Sequence, residues 1–310
     1  MVEEHSQYFS PLPNSKGRNA FASLVTHTVL DWTTAQLANG RRVAVATVLS
    51  SGGSVPRKPG ARLALSDLGE LCGTVGGGGL ELTTTEKLST LLQEKNGEQG
   101  GFVETFQLQK EAKGHAGTPL NSLCGGRVTL SFEVIQPMPH ILLCGGGHCG
   151  KAIADACELL DWKYSVFDVR KEYTDQKTYP NAVGLHNSSA SNFLTRKGAS
   201  DLAQYSDILL LGHEWSVDEE LLKGMLFAQQ EGPDAWRSRI GVIGSKSKWE
   251  AFSKSALKSG IEQQYLDQVD CPIGLNVGAE TPAEIAVAVV GQLLARIKSQ
   301  DPEEATWRDA

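Results

Sequence analysis

The chain has 310 residues, 40% of them hydrophobic and 21% charged, with a formal charge of −7. That length accommodates two domains with ordinary cores, and the acidic balance excludes nucleic acid as the main partner, because phosphate backbones are held by clustered Lys and Arg. Six cysteines without a single C-x-x-C pair argue against a zinc cage or a disulfide framework.

In chain order, residues 1–20 read as a loosely ordered arm. Their sequence has neither the basic start nor the apolar middle of an export signal. The longest apolar stretch, "AEIAVAVVGQLLA", is too short to span a bilayer. The expectation is a cytoplasmic protein with reduced thiols and no membrane span. From residue 21 a helix is predicted up to Ala38, with Gly40 as its stop signal. "RRVAVATVLSSGGS" has the β-branched density of a strand, and "GARLALSDLGELCGTV" reads as a hairpin closed by Ser66–Gly69. After a run of four glycines, Leu80, Thr84, Leu88, Leu91 and Leu92 recur at helical spacing. "GGFVETFQL" and "RVTLSFEVI" suit strands on either side of the polar stretch 109–122. A first, smaller α+β domain is therefore predicted over 21–136, bounded by the prolines of "IQPMPH".

From there the rhythm becomes strand, helix, strand, helix. "HILLCG", "KYSVFD", "SDILLLG" and "IGVIG" are short apolar strands, and "KAIADACELL" is an amphipathic helix. Alternation of this length predicts a Rossmann-type α/β domain over 137–298, a parallel sheet covered by helices on both faces. The last helix opens with Thr281, Pro282 and Glu284 as a capping box. Its stripe of Ile285, Val289, Val290, Leu293, Leu294 and Ile297 predicts a mostly buried helix. Residues 299–310 form a C-terminal tail.

Two glycine loops carry the chemistry. In "CGGGHCG", Gly145, Gly147 and Gly150 satisfy G-x-G-x-x-G between a strand and a helix, and Asp168 ends the next strand eighteen residues later. In that arrangement the backbone approaches a pyrophosphate, the helix start offsets its charge and the acid bonds a ribose hydroxyl. Tight strand–helix packing is the competing explanation. In "GTVGGGGLE", the amides of Gly76, Gly77, Gly78 and Gly79 are placed to converge on an anion, while Glu81 sits where a carboxylate offsets the helix dipole. The stiffened turn "SVPRKPG" would add Arg57 and Lys58 to that anion pocket if it folds beside the loop. A bulky anion is expected where the two halves of the molecule meet. His148 and His213 fall at or just beyond strand ends, where open α/β sheets place ligands.

The blocks "GSVPRKPGARL", "GTVGGGGLE", "CGGRVTLSFEVI", "LLCGGGHCGKAIA", "FDVR", "LLGHEWSVDEELL", "GVIGSKSKWEAF" and "CPIGLNVGAETPAEIAVAVV" resemble, in this order, the xanthine dehydrogenase accessory protein family (XdhC/CoxI). The resemblance runs from about residue 28 to 297. It implies a chaperone without turnover of its own, which binds molybdenum cofactor (molybdopterin). The chaperone shields the cofactor while a cysteine desulfurase supplies a sulfido ligand, then passes it to apo xanthine dehydrogenase or a related hydroxylase. It also implies a homodimer. The positions that match the family's blocks and would meet the cofactor are Arg57, Gly76, Gly77, Gly78, Gly79, Glu81 and Cys124 in the first half. In the second half they are Gly145, Gly147, His148, Gly150, Asp168, Arg170, His213, Ser245 and Lys246. Gly79 stands where the family usually carries Cys, so the chain either lacks that molybdenum ligand or uses another thiol. Cys124, which matches the family's C-G-G, is the best substitute, and a small buried hydrophobe is the competing reading of it. Gly212 replaces Thr, Val169 replaces an acid and Cys149 replaces an aliphatic residue. Two other functions stay open: an oxidoreductase binding NAD(P) or another nucleotide on the Rossmann half, and a scaffold that bridges desulfurase and target.

Overall fold

A computed structural model describes residues 26–93, 101–108, 118–120, 125–212, 214–232, 236, 238–298 and 300–302. The first half runs α1 (Thr26–Ala38), β1 (Val43–Gly53), β2 (Arg62–Ser66), β3 (Leu71–Gly73), α2 (Gly78–Gln93), β4 (Gly101–Leu108), β5 (Thr118–Pro119) and β6 (Gly126–Ile135). These strands make one sheet in the order β3-β2-β1-β6-β4-β5, antiparallel except for the short β4–β5 pair. β1 is buried on both faces at its start, and period-2 alternation explains how. Ala44, Ala46 and Val48 pack with Leu80, Leu88, Leu91 and Leu92 of α2. Val43 and Val45 face the other way, toward Val29 of α1. The predicted helical stripe of α2 is its buried face, residue for residue. β5 lies inside the stretch read from the sequence as polar connection.

The second half runs β7 (His140–Cys144), α3 (His148–Leu159), β8 (Lys163–Asp168), β9 (Gly184–Asn187), α4 (Ala190–Arg196), α5 (Ala199–Leu202), β10 (Asp207–Leu210), α6 (Trp215–Glu231), β11 (Arg239–Val242), α7 (Lys246–Lys258), α8 (Gln263–Leu266) and α9 (Pro282–Ile297). Its five strands are all parallel, in the order β11-β10-β7-β8-β9. Parallel strands covered on both sides need continuous apolar runs, and β7 and β10 are buried at every residue. Leu142, Phe167, Ile208 and Val242 face Phe193 of α4, Leu222 of α6 and Phe252 of α7. Ile141, Leu143, Val166 and Leu209 face Ile153 of α3 and Val289 of α9.

The capping box that starts α9 is complete: the Thr281 hydroxyl accepts from the Glu284 N–H, and the Glu284 carboxylate accepts from the Thr281 N–H. Its buried face is centred on Ala286, Val289, Val290 and Leu293, so Leu294, expected inside, is exposed. Among the described residues, no helix is long and apolar enough to cross a membrane.

Because all five strands are parallel, their C-terminal ends share one edge. The chain goes from β7 to β8 on one side and later returns to β10 on the other. The crevice between β7 and β10 is therefore the topological switch point, where open α/β sheets take their ligands. The opposite edge meets the first half of the molecule. There, Gly40, Arg42, Asp67 and residues 136–139 join Ala203 to Ser206, Arg239 and Arg296 around a groove of about 830 Å³.

Candidate functional site

The first glycine loop is built around Thr74. Its hydroxyl accepts a hydrogen bond from the Gly76 N–H at 3.1 Å and donates to the Glu81 carboxylate in the first turn of α2. Gly76 (φ +152°) then passes against the "SVPRKPG" turn, and a Cβ there would lie 2.6 Å from Cγ of Pro56. The basic turn thus does fold beside the loop. Gly77 and Gly78 are the opposite case: a Cβ on either would meet nothing within 4 Å. Gly78 (φ +59°) carries the left-handed backbone, while Gly77 has no such need. Gly77, Gly78 and Gly79 are exposed at the start of α2, where unpaired amides and the helix dipole favour an anion. Arg57 and Lys58 are exposed too, and their side chains have no hydrogen-bond or ion-pair partner among the described residues.

The second loop divides its glycines by task. Gly145 (φ +125°) makes the turn, and a Cβ there would lie 2.8 Å from the Leu211 carbonyl carbon on the neighbouring connection. Gly150 lets α3 approach the strand, since its Cβ would fall 2.1 Å from the Gly145 oxygen. At Gly147, which caps α3, a Cβ would meet nothing within 4 Å. These are the three roles expected of a phosphate-binding turn. His148 is exposed at the first position of α3.

Gly146 is held from three sides. Its N–H donates to Asp168 Oδ2 at 2.9 Å, its carbonyl accepts from the Tyr179 hydroxyl at 2.7 Å, and a Cβ would fall 2.1 Å from the Tyr173 oxygen. Asp168 is nearly inaccessible. It accepts further bonds of 2.9 Å each from the Arg170 N–H, Nε and Nη2. Burial pushes its carboxyl up, but the bonds from Arg170 and Gly146 outweigh that and hold it below its ordinary value. The Arg170 guanidinium also lies 3.9 Å from the ring centre of Tyr173. The crevice lined by Gly145, Asp168, Arg170, Gly212 and Asp218 keeps only about 20 Å³ free, room for about one water.

Beyond these loops, Ser245 caps α7 by accepting from the Lys248 N–H at 3.3 Å, a structural duty. Lys246 is almost fully exposed, 3.9 Å from Glu250. Cys124 and His213 lie outside the described residues. Burial pushes the thiols of Cys72, Cys144, Cys149 and Cys271 up, and that of Cys157 to about 12, so none of these five is a ready thiolate. Among the described residues no cluster of three His, Cys, Asp or Glu side chains is placed to hold a metal.

The expectation that both loops meet where the halves join is not fulfilled. The groove there is lined by other residues. Gly145 and Gly147 lie beyond the far ends of the parallel strands. β3 runs away from the groove, from Leu71 opposite Leu65 to Gly73 opposite Leu63, and the first loop follows from that far end. Sequence reasoning also missed Asp218 and Lys248, which form a buried ion pair of 2.7 Å beside Gly212. Helix residues thirty positions apart give no local signal of such a pair.

Two family profiles match the chain: the XdhC and CoxI family over residues 36–106, and the XdhC Rossmann domain over residues 141–293. A protein of Escherichia coli (strain K12), the uncharacterized protein YqeB, is 29% identical over 84% of this chain and 44% of its own length. A probable xanthine dehydrogenase subunit of Bacillus subtilis (strain 168) is 24% identical over 53% of this chain and 44% of its own length. The chain thus spans less than half the length of both relatives. A crystal structure of a xanthine dehydrogenase from Bacillus halodurans aligns with 92% of this chain and 99% of that one, at 18% identity and a TM-score of 0.43. With an XdhC/CoxI match in its first half and an XdhC Rossmann match in its second, this chain belongs to the XdhC/CoxI family.

Proposed function

We propose that the chain serves as an accessory protein to a molybdenum hydroxylase of the xanthine dehydrogenase kind, holding molybdenum cofactor before its insertion. One observation carries this reading. The loop Gly77–Gly79 presents exposed, anion-favouring backbone at the start of α2, next to the turn that carries Arg57 and Lys58, and at Gly77 and Gly78 it leaves open the space that a Cβ would fill. Molybdopterin ends in a phosphate, which such amides and cations suit. Arg57 and the loop amides would hold that phosphate, Glu81 would fix the loop through Thr74, and Cys124 is the proposed thiol for molybdenum. The cofactor, once bound, supplies the metal chemistry that the client enzyme uses. Delivery to a hydroxylase, exchange with a cysteine desulfurase, self-association and a cytoplasmic site of action belong to the same proposal.

The test is direct. Purified protein mixed with molybdopterin should retain it through gel filtration and raise the activity of apo xanthine dehydrogenase on reconstitution. The reading falls if molybdopterin is not retained and if deleting the protein leaves hydroxylase activity unchanged.

A further inference from the structure

The second glycine loop has the backbone of a dinucleotide site, yet the chemistry around it points the other way. The strand-end acid of such a site earns its place by accepting both hydroxyls of an adenosine ribose. A carboxylate offers about four acceptor positions. Four donors already take them at Asp168: the Gly146 N–H and three groups of Arg170, all at 2.9 Å. The guanidinium meets both carboxylate oxygens, the same pair of atoms a ribose diol would need. It is stacked on Tyr173, whose carbonyl oxygen covers Gly146. The remaining 20 Å³ holds about one water, far less than a nucleoside.

We infer that Arg170 excludes dinucleotides from the Gly145–Gly150 loop: by clamping Asp168 it occupies the ribose position and converts a nucleotide-binding turn into a fixed structural corner. The clamp is locally encoded. An arginine two residues beyond a strand-end acid folds back on it, and bidentate geometry makes the contact durable. The inference does not depend on what the first loop binds.

The experiment is a fluorescence titration of NADH and NADPH against the full chain and its variants. The wild-type protein should show no saturable binding up to about 1 mM, weaker than ordinary specific recognition. Arg170→Ala removes the two guanidinium bonds, one from each carboxylate oxygen, and should gain NADH binding by at least about tenfold, with NADPH disfavoured because Asp168 repels its extra phosphate. Adding Asp168→Asn to that variant should abolish the preference for NADH. If Arg170→Ala does not fold, as judged by near-ultraviolet circular dichroism, Arg170→Gln retains one bond to Asp168 and should show the same gain in smaller measure. Saturable NADH binding by the wild-type protein at micromolar concentrations overturns the inference. So does a folded Arg170 variant with no gain.

Discussion

Thr74 and Glu81 are linked across the first glycine loop, with the hydroxyl donating to the carboxylate and accepting from the Gly76 N–H at 3.1 Å. One side chain therefore sets both the entry of the loop and its anchorage to α2. Thr74→Val removes the hydroxyl but keeps the shape, which leaves a buried N–H without its acceptor. The expected loss is about 1–3 kcal/mol of stability by urea denaturation. Thr74→Ser should recover most of it, because the hydroxyl is what matters.

The adjacent glycines separate stability from binding. At Gly76 an added Cβ would press on Pro56 at 2.6 Å and on Leu80 at 3.2 Å, with φ in the glycine range. Gly76→Ala should cost about 1–3 kcal/mol. At Gly77 the same methyl meets open space, so Gly77→Ala should leave the melting temperature within about 2 °C of wild type. It should nonetheless weaken molybdopterin retention by about tenfold or more, because the methyl stands where the ligand's phosphate would approach the amides. The opposite pattern, an unstable Gly77→Ala protein with intact retention, would place the ligand elsewhere.

Much of this architecture is legible in the residues themselves. The α2 stripe, the capping box at Thr281 and the βα rhythm after His140 are local patterns, fixed by periods of 3.6 and 2 that a sequence displays directly. β9 was not legible. Gly184–Asn187 has little β-branched content and gains its strand character from pairing with β8. Asp168 was correctly set at a strand end, but a spacing rule records only that a carboxylate is there. Whether it faces a ligand or its own neighbour Arg170 depends on side-chain direction, which the motif does not encode. The joint site between the halves failed for a related reason. Each loop follows its own strand, and strand direction, not glycine content, decides which end of a domain it occupies.

His140 gives a pH test. It is buried at the start of β7, its Nε2 2.9 Å from the Ser165 hydroxyl and its ring edge against Tyr205. Burial, helped by Lys163, Lys197 and His186, pushes its pKa down to about 4. The folded protein then keeps the ring neutral while the unfolded chain titrates near 6.5. The unfolded state therefore binds more protons between those values, and stability falls as pH drops from 6.5 toward 4. About 2 kcal/mol should be lost between pH 7 and pH 5 on this account alone. Urea titrations of wild type and His140→Gln at both pH values should differ in slope with pH, the variant losing less.

The buried pair Asp218–Lys248 joins α6 to α7 at the switch-point crevice. The Lys248 ammonium also donates to the Ile243 carbonyl at 3.0 Å, and a Cβ on Gly212 would lie 2.4 Å from Asp218 Oδ1. The glycine at 212 is thus required by the carboxylate beside it, and Gly212→Ala should cost about 1–3 kcal/mol as the pair is pushed apart. Lys248→Met strands a charge in the interior, and the expected cost is larger, about 3–5 kcal/mol. Neutralising the acid as well tests whether charge or shape is responsible. If the penalty comes from the isolated carboxylate, Asp218→Asn combined with Lys248→Met should be more stable than Lys248→Met alone by about 1 kcal/mol or more. If the double variant is no better, the other contacts of the ammonium, with the Phe252 ring 5.3 Å away and with the Ile243 carbonyl, account for the loss.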